Sequence, residues 1–219
     1  MSQAVVNALF PIPVYTVKCD IDISHAVEFL ENDHELIPNE HANNYGNKTV
    51  DDYILDNSVC SPLKNFILEH MTIFADKIMC WDIEGMQVTQ SWLSIKQPNE
   101  QHGIHYHPNS VLSAVFFFQE SEINTPYLKF HRPEIINQLM NQFGPATDAD
   151  KMQYSEFPWN YWSVPPEKNT LVIFPSWLHH DVGLNTSNKT RKSLAINAIP
   201  SGKFGSRDSS AEIDFKRLK

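Results

Sequence analysis

Hydrophobic and polar positions follow a helical period in the first part of the chain. In residues 22–33, DISHAVEFLEND, the apolar side chains fall on one face, and Ser24 can serve as the N-cap. Residues 61–79, SPLKNFILEHMTIFADKIM, show similar spacing over a longer stretch, with Ser61 as a cap and Pro62 in the first turn. Two helices are therefore predicted in the N-terminal part.

From residue 86 the pattern changes to short runs of β-branched and aromatic residues bounded by Pro, Asn or Gly. These runs are MQVTQSWLSIKQ, SVLSAVFFFQ, PYLKFHRP, YWSVPP, NTLVIFPSW and KSLAINAIP. Helices followed by many short strands predict a mainly β fold with helices (α+β), in which a β-sandwich or jelly roll carries a helical layer on one sheet.

We expect a single domain over residues 1–219, because this length is typical of one domain. Within it we expect a helical N-terminal layer (1–85), a jelly-roll core (86–200) and a C-terminal tail (201–219). A long insertion at 131–162 interrupts the strands, and such insertions are often lids or binding loops. Its aromatic cluster, which can stack on a substrate or pack beneath the loop, comprises Phe157, Trp159, Tyr161 and Trp162.

Composition and charge exclude several classes of function. The net charge of -9 and the pI of about 5.5 argue against a broad nucleic-acid-binding surface. The sequence has no long apolar run that could span a membrane and no apparent secretory signal. Its three cysteines lack C-x-x-C spacing, which favours buried unpaired thiols in a reducing compartment over a thiolate zinc site. We therefore expect a cytoplasmic protein that binds neither nucleic acid nor membrane.

Histidines are concentrated in two short windows of the β-rich part. HGIHYHPNS contains His102, His105 and His107, and LVIFPSWLHHDV contains His179 and His180. Side chains alternate along a strand, so the two imidazoles of H-x-H are expected on one face, where they can bind the same ion. Imidazole suits iron, copper, zinc and nickel better than magnesium or calcium. Taken alone, H-x-H fits a metal site and a partly exposed surface pair equally well.

A third window, KTRKSLAIN, follows the histidine doublet after one hairpin. Arg191 and Ser193 share a strand face there, so that a guanidinium group stands beside a hydroxyl group. Such a pair suits a small carboxylate, which arginine can hold with two parallel hydrogen bonds; a solvent-facing pair on an edge strand is the alternative. The position of the pair favours a metal site with a carboxylate-binding group one strand away.

In these residues the chain resembles the iron(II)- and 2-oxoglutarate-dependent oxygenases. Their pattern is H-x-D/E, a long gap, a second histidine and then R-x-S/T, which here corresponds to His105-x-His107, His180 and Arg191-x-Ser193. The valine two residues further on selects His180 over its neighbour. HPNSVLSAVFFF is similar to a segment of prolyl-hydroxylase-like members, and TQSWLSI, FPSWLHHDV and RKSLAIN look like a subgroup of small bacterial and phage oxygenases.

The resemblance implies a double-stranded β-helix, a jelly roll whose mouth holds the metal. It implies Fe(II) bound by His105, His107 and His180, with 2-oxoglutarate as cosubstrate. The implied reaction hydroxylates a substrate while 2-oxoglutarate is decarboxylated to succinate. Position 107 is a histidine where the general family has a carboxylate, so the implied iron site has three neutral ligands and a more positive metal.

The resemblance also implies where the cosubstrate binds. Arg191, helped by Ser193, is the implied partner of the far carboxylate of 2-oxoglutarate. Phe117, on the strand face that carries the histidines, and Gln97, which precedes the first histidine window, are further candidates for this pocket. Asn169 replaces the glycine that usually opens the LVIFP strand, and asparagine tolerates the left-handed conformation of a turn there.

Two other functions stay open at the level of sequence. A cupin-type metalloprotein shares the jelly roll and H-x-H, although cupins usually add a glutamate shortly after the second histidine, where Val111 and Leu112 stand here. A jelly-roll binding protein without catalysis is the other alternative. We expect a small-molecule or peptidyl substrate as partner and a homodimer as one form of assembly.

Overall fold

The structure is a computed structural model that describes residues 10–39, 45–133, 160–205, 208, 211–215 and 217. Its helices are α1 (Ser24–Glu31) and α2 (Ser61–Ile73), and a π-helical turn at Phe74–Ile78 continues α2. The strands are β1 (Tyr15–Lys18), β2 (Leu36–Pro38), β3 (Asn47–Thr49), β4 (Ile83–Lys96), β5 (His102–His105), β6 (Leu112–Phe117), β7 (Leu128–His131), β8 (Tyr161–Val164), β9 (Thr170–Pro175), β10 (His180–Val182), β11 (Arg191–Phe204) and β12 (Ile213–Asp214).

The strands form two sheets. The larger sheet has the order β1-β9-β6-β11-β4-β3-β2, with β12 paired to β11, and the smaller sheet has the order β5-β10-β7-β8. Neighbouring strands are antiparallel, and the long strands β4 and β11 pair from Arg191 opposite Lys96 to Phe204 opposite Ile83. Strands distant in sequence lie side by side, as a jelly roll requires. The predicted mainly β fold with a helical layer is confirmed.

Central strands of the larger sheet are buried on both faces, because helices cover one face and the smaller sheet covers the other. Phe116 and Leu171 belong to the core that contains residues of α1 and α2, whereas Phe117 and Val172 belong to the core between the sheets. Successive side chains of a strand point to opposite faces, so neighbours in sequence enter different cores. This double burial explains why LVIFP is continuously apolar rather than alternating.

The N-terminal layer is not purely helical. It also contributes β1, β2 and β3, which extend the two ends of the larger sheet beyond β9 and β4. The strand Asn47–Thr49 is short and polar and so carries little periodic signal; it pairs with β2 and β4 through the backbone. The predicted serine caps are wrong. Ser24 lies within α1, where its N–H donates to Asp22 Oδ1 at 3.0 Å. Ser61 lies within α2, which follows directly from a 3₁₀ turn.

Several other expectations concern the remaining parts of the chain. Residues 134–159, most of the predicted insertion with Phe157 and Trp159, lie outside the described residues, whereas Tyr161 and Trp162 form the start of β8. The three cysteines are free; Cys19 and Cys60 are buried as predicted, whereas the prediction is wrong for Cys80, which is exposed. No helix in the described ranges is long and apolar enough to cross a membrane. The single-domain division stays a prediction.

Candidate metal centre and cosubstrate pocket

Three histidines from the smaller sheet and its edge converge at one end of the barrel. His105 ends β5 and pairs directly with His180, the first residue of β10. His107 lies just beyond β5, where its backbone N–H donates to the carbonyl of Ser176 at 2.9 Å. Strand alternation predicts that His105 and His107 lie on the same face of one strand. Instead, β5 ends at His105, and the turn that follows it positions the ring of His107. The structure brings all three predicted metal ligands together.

The spacing of the three rings suits a single metal ion. The Nε2 atoms of His107 and His180 are 3.3 Å apart. One ligand atom from each of the three histidines can be chosen so that all lie within 4.8 Å of one another. Two nitrogens that bind one ion at about 2.0–2.1 Å lie roughly 3 Å apart, so only small adjustments are needed for coordination.

Hydrogen bonds to the backbone orient two of the rings. His105 Nδ1 donates to the carbonyl of Gly103 at 2.8 Å, and His180 Nδ1 donates to the carbonyl of Leu178 at 2.9 Å. A carbonyl oxygen can only accept, so each Nδ1 carries the proton and each Nε2 keeps its lone pair for a metal. Such outer hydrogen bonds fix the ring and increase its basicity as a ligand.

Burial keeps these rings in the neutral form that binds metal. It lowers the pKa of His107 to about 4, and it lowers the pKa of His105 and, well below the usual value, that of His180. A fourth ring, His102, stacks on His105 with centroids 4.1 Å apart, and burial lowers its pKa to about 2. At neutral pH the cluster is therefore uncharged and ready to accept a cation.

Within the part of the chain that the structure describes, no carboxylate joins the cluster. Asp181 directly follows His180, but adjacent side chains of a strand point to opposite faces, and its Oδ2 lies 2.5 Å from His131 Nε2 instead. His107 is therefore the third member of the cluster, at the sequence position where the family pattern has an acidic residue. Imidazole nitrogens fit Fe(II), and three of them leave coordination positions for a chelating cosubstrate.

The second predicted group lies on the inner face of the larger sheet. Arg191 is 5% exposed, and one of its terminal nitrogens donates to Ser193 Oγ at 3.1 Å. Its guanidinium carbon lies 5.3 Å from the centre of the Phe117 ring. Its Nε and NH2 atoms are buried without a hydrogen-bond partner. Burial lowers the pKa of Arg191 to about 10, which leaves it charged at neutral pH and able to bind a carboxylate.

Gln97 does not join this group. It lies just beyond the end of β4, where its exposed side chain accepts a 2.6 Å hydrogen bond from Thr190 Oγ1. Its predecessor Lys96 is the residue that points inward, opposite Arg191 in the pairing of β4 with β11. In this structure the Gln97 side chain is therefore not part of the group around Arg191.

Lys96 was not selected from the sequence, although a signal was present. It shares the inward face of β4 with Ser94, and its ammonium donates to Ser94 Oγ at 3.1 Å. The side chain is 0% exposed, and burial, together with the charge of Arg191, lowers its pKa to about 8. A lysine at an inward position of an apolar strand is rarely buried without a function, and this argument would have selected it.

Cavities lie on both sides of these residues. One of about 690 Å³ opens at the histidines, where the aromatic rings of Trp92, Tyr45 and Tyr106 line it together with His105 and His107. The centroid of the Trp92 ring is 5.9 Å from that of His107. A second cavity of about 280 Å³ reaches Arg191 and Phe117. The histidine side offers room for a further molecule beside the metal.

Fold and site together define a jelly-roll protein with a cluster of three histidines that could hold a metal ion and with a buried arginine on the inner face of the larger sheet. Residues 90–197 match the family model described as "Putative 2OG-Fe(II) oxygenase". These residues contain the three histidines, Arg191 and Ser193. No curated protein matches the chain.

Solved structures with a similar fold include three described as enzymes or as ligand complexes. The epimerase SnoN, in complex with Fe3+, alpha ketoglutarate and nogalamycin RO, is 12% identical with a TM-score of 0.60, covering 89% of this chain and 82% of that chain. A Pseudomonas putida prolyl-4-hydroxylase is 13% identical with a TM-score of 0.56, covering 87% and 94%. HygX from Streptomyces hygroscopicus, with nickel and 2-oxoglutarate bound, is 8% identical with a TM-score of 0.54, covering 86% and 83%.

At these identities the structural likeness concerns the fold. Together with the family match, it identifies residues 90–197 as a 2OG-Fe(II) oxygenase domain. This domain is thus an oxidoreductase domain of the 2OG-Fe(II) oxygenase family, which uses Fe(II) as cofactor and 2-oxoglutarate as cosubstrate.

Proposed function

We propose that the protein is a dioxygenase that hydroxylates a small-molecule or peptidyl substrate and converts 2-oxoglutarate to succinate. The observation that carries this proposal is the juxtaposition of three neutral imidazoles and a buried arginine with unpaired donors in one barrel. The first group fits a divalent metal, and the second fits the far carboxylate of a short dicarboxylate.

In this proposal the residues bind and orient, and the cofactors supply the oxidation. When bound, Fe(II) with O₂ converts 2-oxoglutarate and the substrate C–H bond to succinate, CO₂ and a C–OH group. His105, His107 and His180 hold the metal through Nε2. Arg191 and Ser193 hold the distal carboxylate, and the ring of Phe117 shields the guanidinium from water, which strengthens the ion pair.

The substrate is proposed to enter through the cavity at the histidines. Trp92, Tyr45 and Tyr106 offer flat apolar surfaces, and Gln90 and Asn39 add amide groups on the same wall. This combination suits a ligand with both apolar and hydrogen-bonding faces, such as a peptidyl or a small polycyclic or sugar-like molecule. Fold alone does not choose among these classes, because one fold supports many substrates.

Metal binding is tested with the apoprotein and Fe(II) under anaerobic conditions. Addition of 2-oxoglutarate is expected to produce a weak visible charge-transfer band, and admission of O₂ is expected to yield succinate. His180→Ala is expected to lose bound iron, whereas His179→Ala, which changes the exposed neighbour, is expected to keep it. A protein that binds iron but produces neither the band nor succinate would be a metalloprotein of another kind.

The cosubstrate site is tested separately with Arg191→Ala. This variant is expected to bind 2-oxoglutarate at least about 100-fold more weakly, because a buried charged partner of the carboxylate is lost. Its iron content should stay close to that of the unmodified protein, since Arg191 is not among the clustered ligands. Arg217→Ala, at an exposed arginine, is the control for loss of a guanidinium group. Unchanged affinity in the Arg191 variant would place the carboxylate elsewhere.

A further inference from the structure

Two positively charged side chains are buried next to each other in the barrel without an acidic partner. Arg191 and Lys96 occupy paired positions on β11 and β4, so both side chains leave the same face of the sheet. Within the described ranges, the hydrogen-bond partners of the Lys96 ammonium are Ser94 Oγ at 3.1 Å and the carbonyl of Ile95 at 3.5 Å. Among the residues that the structure describes, neither cation forms an ion pair within 4.0 Å.

The acidic residue whose charge acts on Lys96, Glu100, does not form an ion pair with it. Glu100 acts on the ammonium only at longer range, and its Oε2 accepts the backbone N–H of Gln97 at 2.7 Å. Buried charges are normally paired, because an unpaired ion loses its hydration without compensation. Two unpaired cations at neighbouring positions also repel each other. The folded protein therefore holds an excess of positive charge at this point, which an entering anion would relieve.

The four side chains around this excess have the composition of a carboxylate site. Ser193 pairs with Ser94 two residues further along the same two strands, and each hydroxyl is hydrogen-bonded to its neighbouring cation. A guanidinium, an ammonium and two hydroxyls thus line one patch on the inner face. The charge of Lys96 also contributes to lowering the pKa of His102 and His105. The patch therefore lies within electrostatic reach of the histidine cluster.

We propose that Lys96 is a second cationic contact for the distal carboxylate of 2-oxoglutarate, which it holds from β4 while Arg191 holds it from β11. This proposal rests on the proposed function and adds a positioning residue to it. Two cations around one carboxylate make the pocket selective for 2-oxo acids that end in a carboxylate. A 2-oxo acid with an apolar end would leave both charges buried and unpaired, which is unfavourable.

The test compares Lys96→Met with the unmodified protein by calorimetric titration of 2-oxoglutarate into the Mn(II)-loaded form without O₂. We expect the variant to bind 2-oxoglutarate about 10- to 100-fold more weakly, as for loss of one hydrogen bond to a charged group. Affinity for 2-oxopentanoate, which has no distal carboxylate, should change by less than about two-fold or improve. Lys96→Arg is expected to recover part of the loss. Mn(II) affinity without 2-oxo acid serves as the measure of an intact metal site.

The outcomes separate the two proposals. If the unmodified protein does not bind 2-oxoglutarate, the proposed function fails, and the role of Lys96 fails with it. If the unmodified protein binds 2-oxoglutarate and Lys96→Met binds it equally well, only the role of Lys96 is overturned. An equal loss for both 2-oxo acids would also overturn it, since that result indicates a general structural defect. Should the methionine variant not fold, Lys96→Gln is titrated in its place. Lys18→Met, at an exposed lysine of β1, is the control.

Discussion

Replacing Lys96 by methionine is expected to stabilise the protein without metal or cosubstrate, by an amount that depends on pH. The ammonium is fully buried, and burial beside Arg191 lowers its pKa from the ordinary value of 10.5 to about 8. Below pH 8 the lysine is charged in the folded and the unfolded state, so the full penalty of burying the charge is present. Between pH 8 and pH 10.5 the unfolded chain binds more protons, and the stability of the folded protein rises with pH.

The size of the effect follows from this difference in pKa. The penalty amounts to about 3 kcal/mol at pH 7 and falls to about 1 kcal/mol at pH 10. Methionine has a similar length and removes only the ammonium charge, so the loss of packing should be small. We therefore expect the free energy of unfolding of the variant to exceed that of the unmodified protein at pH 7, and the gap to shrink by about 2 kcal/mol at pH 10.

Urea unfolding at the two pH values, followed by tryptophan fluorescence, measures this gap. Comparison of the two proteins cancels the titration of those shared groups on which the charge of Lys96 does not act. Lys18→Met, which removes an exposed ammonium paired with Glu167, controls for the loss of one surface charge. A gap that stays constant between pH 7 and pH 10 would refute the reasoning, because it would mean that Lys96 is not buried as a charged group. A variant less stable than the unmodified protein at pH 7 would do the same.

Three further predictions concern the core, a turn and the metal ligands. Phe174→Ala, which removes a ring whose centroid lies 4.7 Å from that of His180, should lower the free energy of unfolding by about 3–5 kcal/mol and weaken metal binding, as measured by urea unfolding and Mn(II) titration. Asn169→Ala should lower it by about 1–2 kcal/mol because Asn169 has a φ of 56°, whereas Asn169→Gly should change it far less in the same unfolding assay. The metal-free protein should lose stability as pH falls from 6.5 to about 4, because His107 binds a proton less readily in the folded than in the unfolded state. His107→Gln should reduce this loss of stability with falling pH, as measured by thermal unfolding at several pH values. An unchanged pH dependence in the variant would contradict the lowered pKa of His107.

Periodicity and turn chemistry account for much of what could be predicted from the sequence. The two helices and six of the strands follow from apolar spacing, because each must bury one or both of its faces. Asn169 was expected to adopt a left-handed conformation, and its φ of 56° confirms this. The three histidines, Arg191 and Ser193 could be selected because their spacing fits a chemical pattern within short windows. The site residues could thus be predicted from short stretches of sequence.

The features that could not be predicted from the sequence depend on the pairing of strands that are distant along the chain. β3 and β10 are too short to show a period, and they exist because longer strands offer them backbone partners. Gln97 was predicted as a pocket residue and Lys96 was not considered, because position along the chain cannot show which side chain points inward at the end of a strand. The register of β4 against β11 decides this, since it places Lys96 opposite Arg191. A shift of one residue would have exchanged the two, because adjacent side chains of a strand leave opposite faces.

By itself, then, the sequence determined the class of fold, the imidazole and guanidinium chemistry and the family. Only the tertiary structure decided that His107 joins His105 and His180 from a turn rather than from a strand, and that Asp181 turns away to His131. Only the tertiary structure also showed that Lys96 and Arg191 are buried side by side without an ion-pair partner among the described residues. The physical reason is that residue type sets what a side chain can bind, whereas burial, register and the nearest partner set whether it is free to bind it.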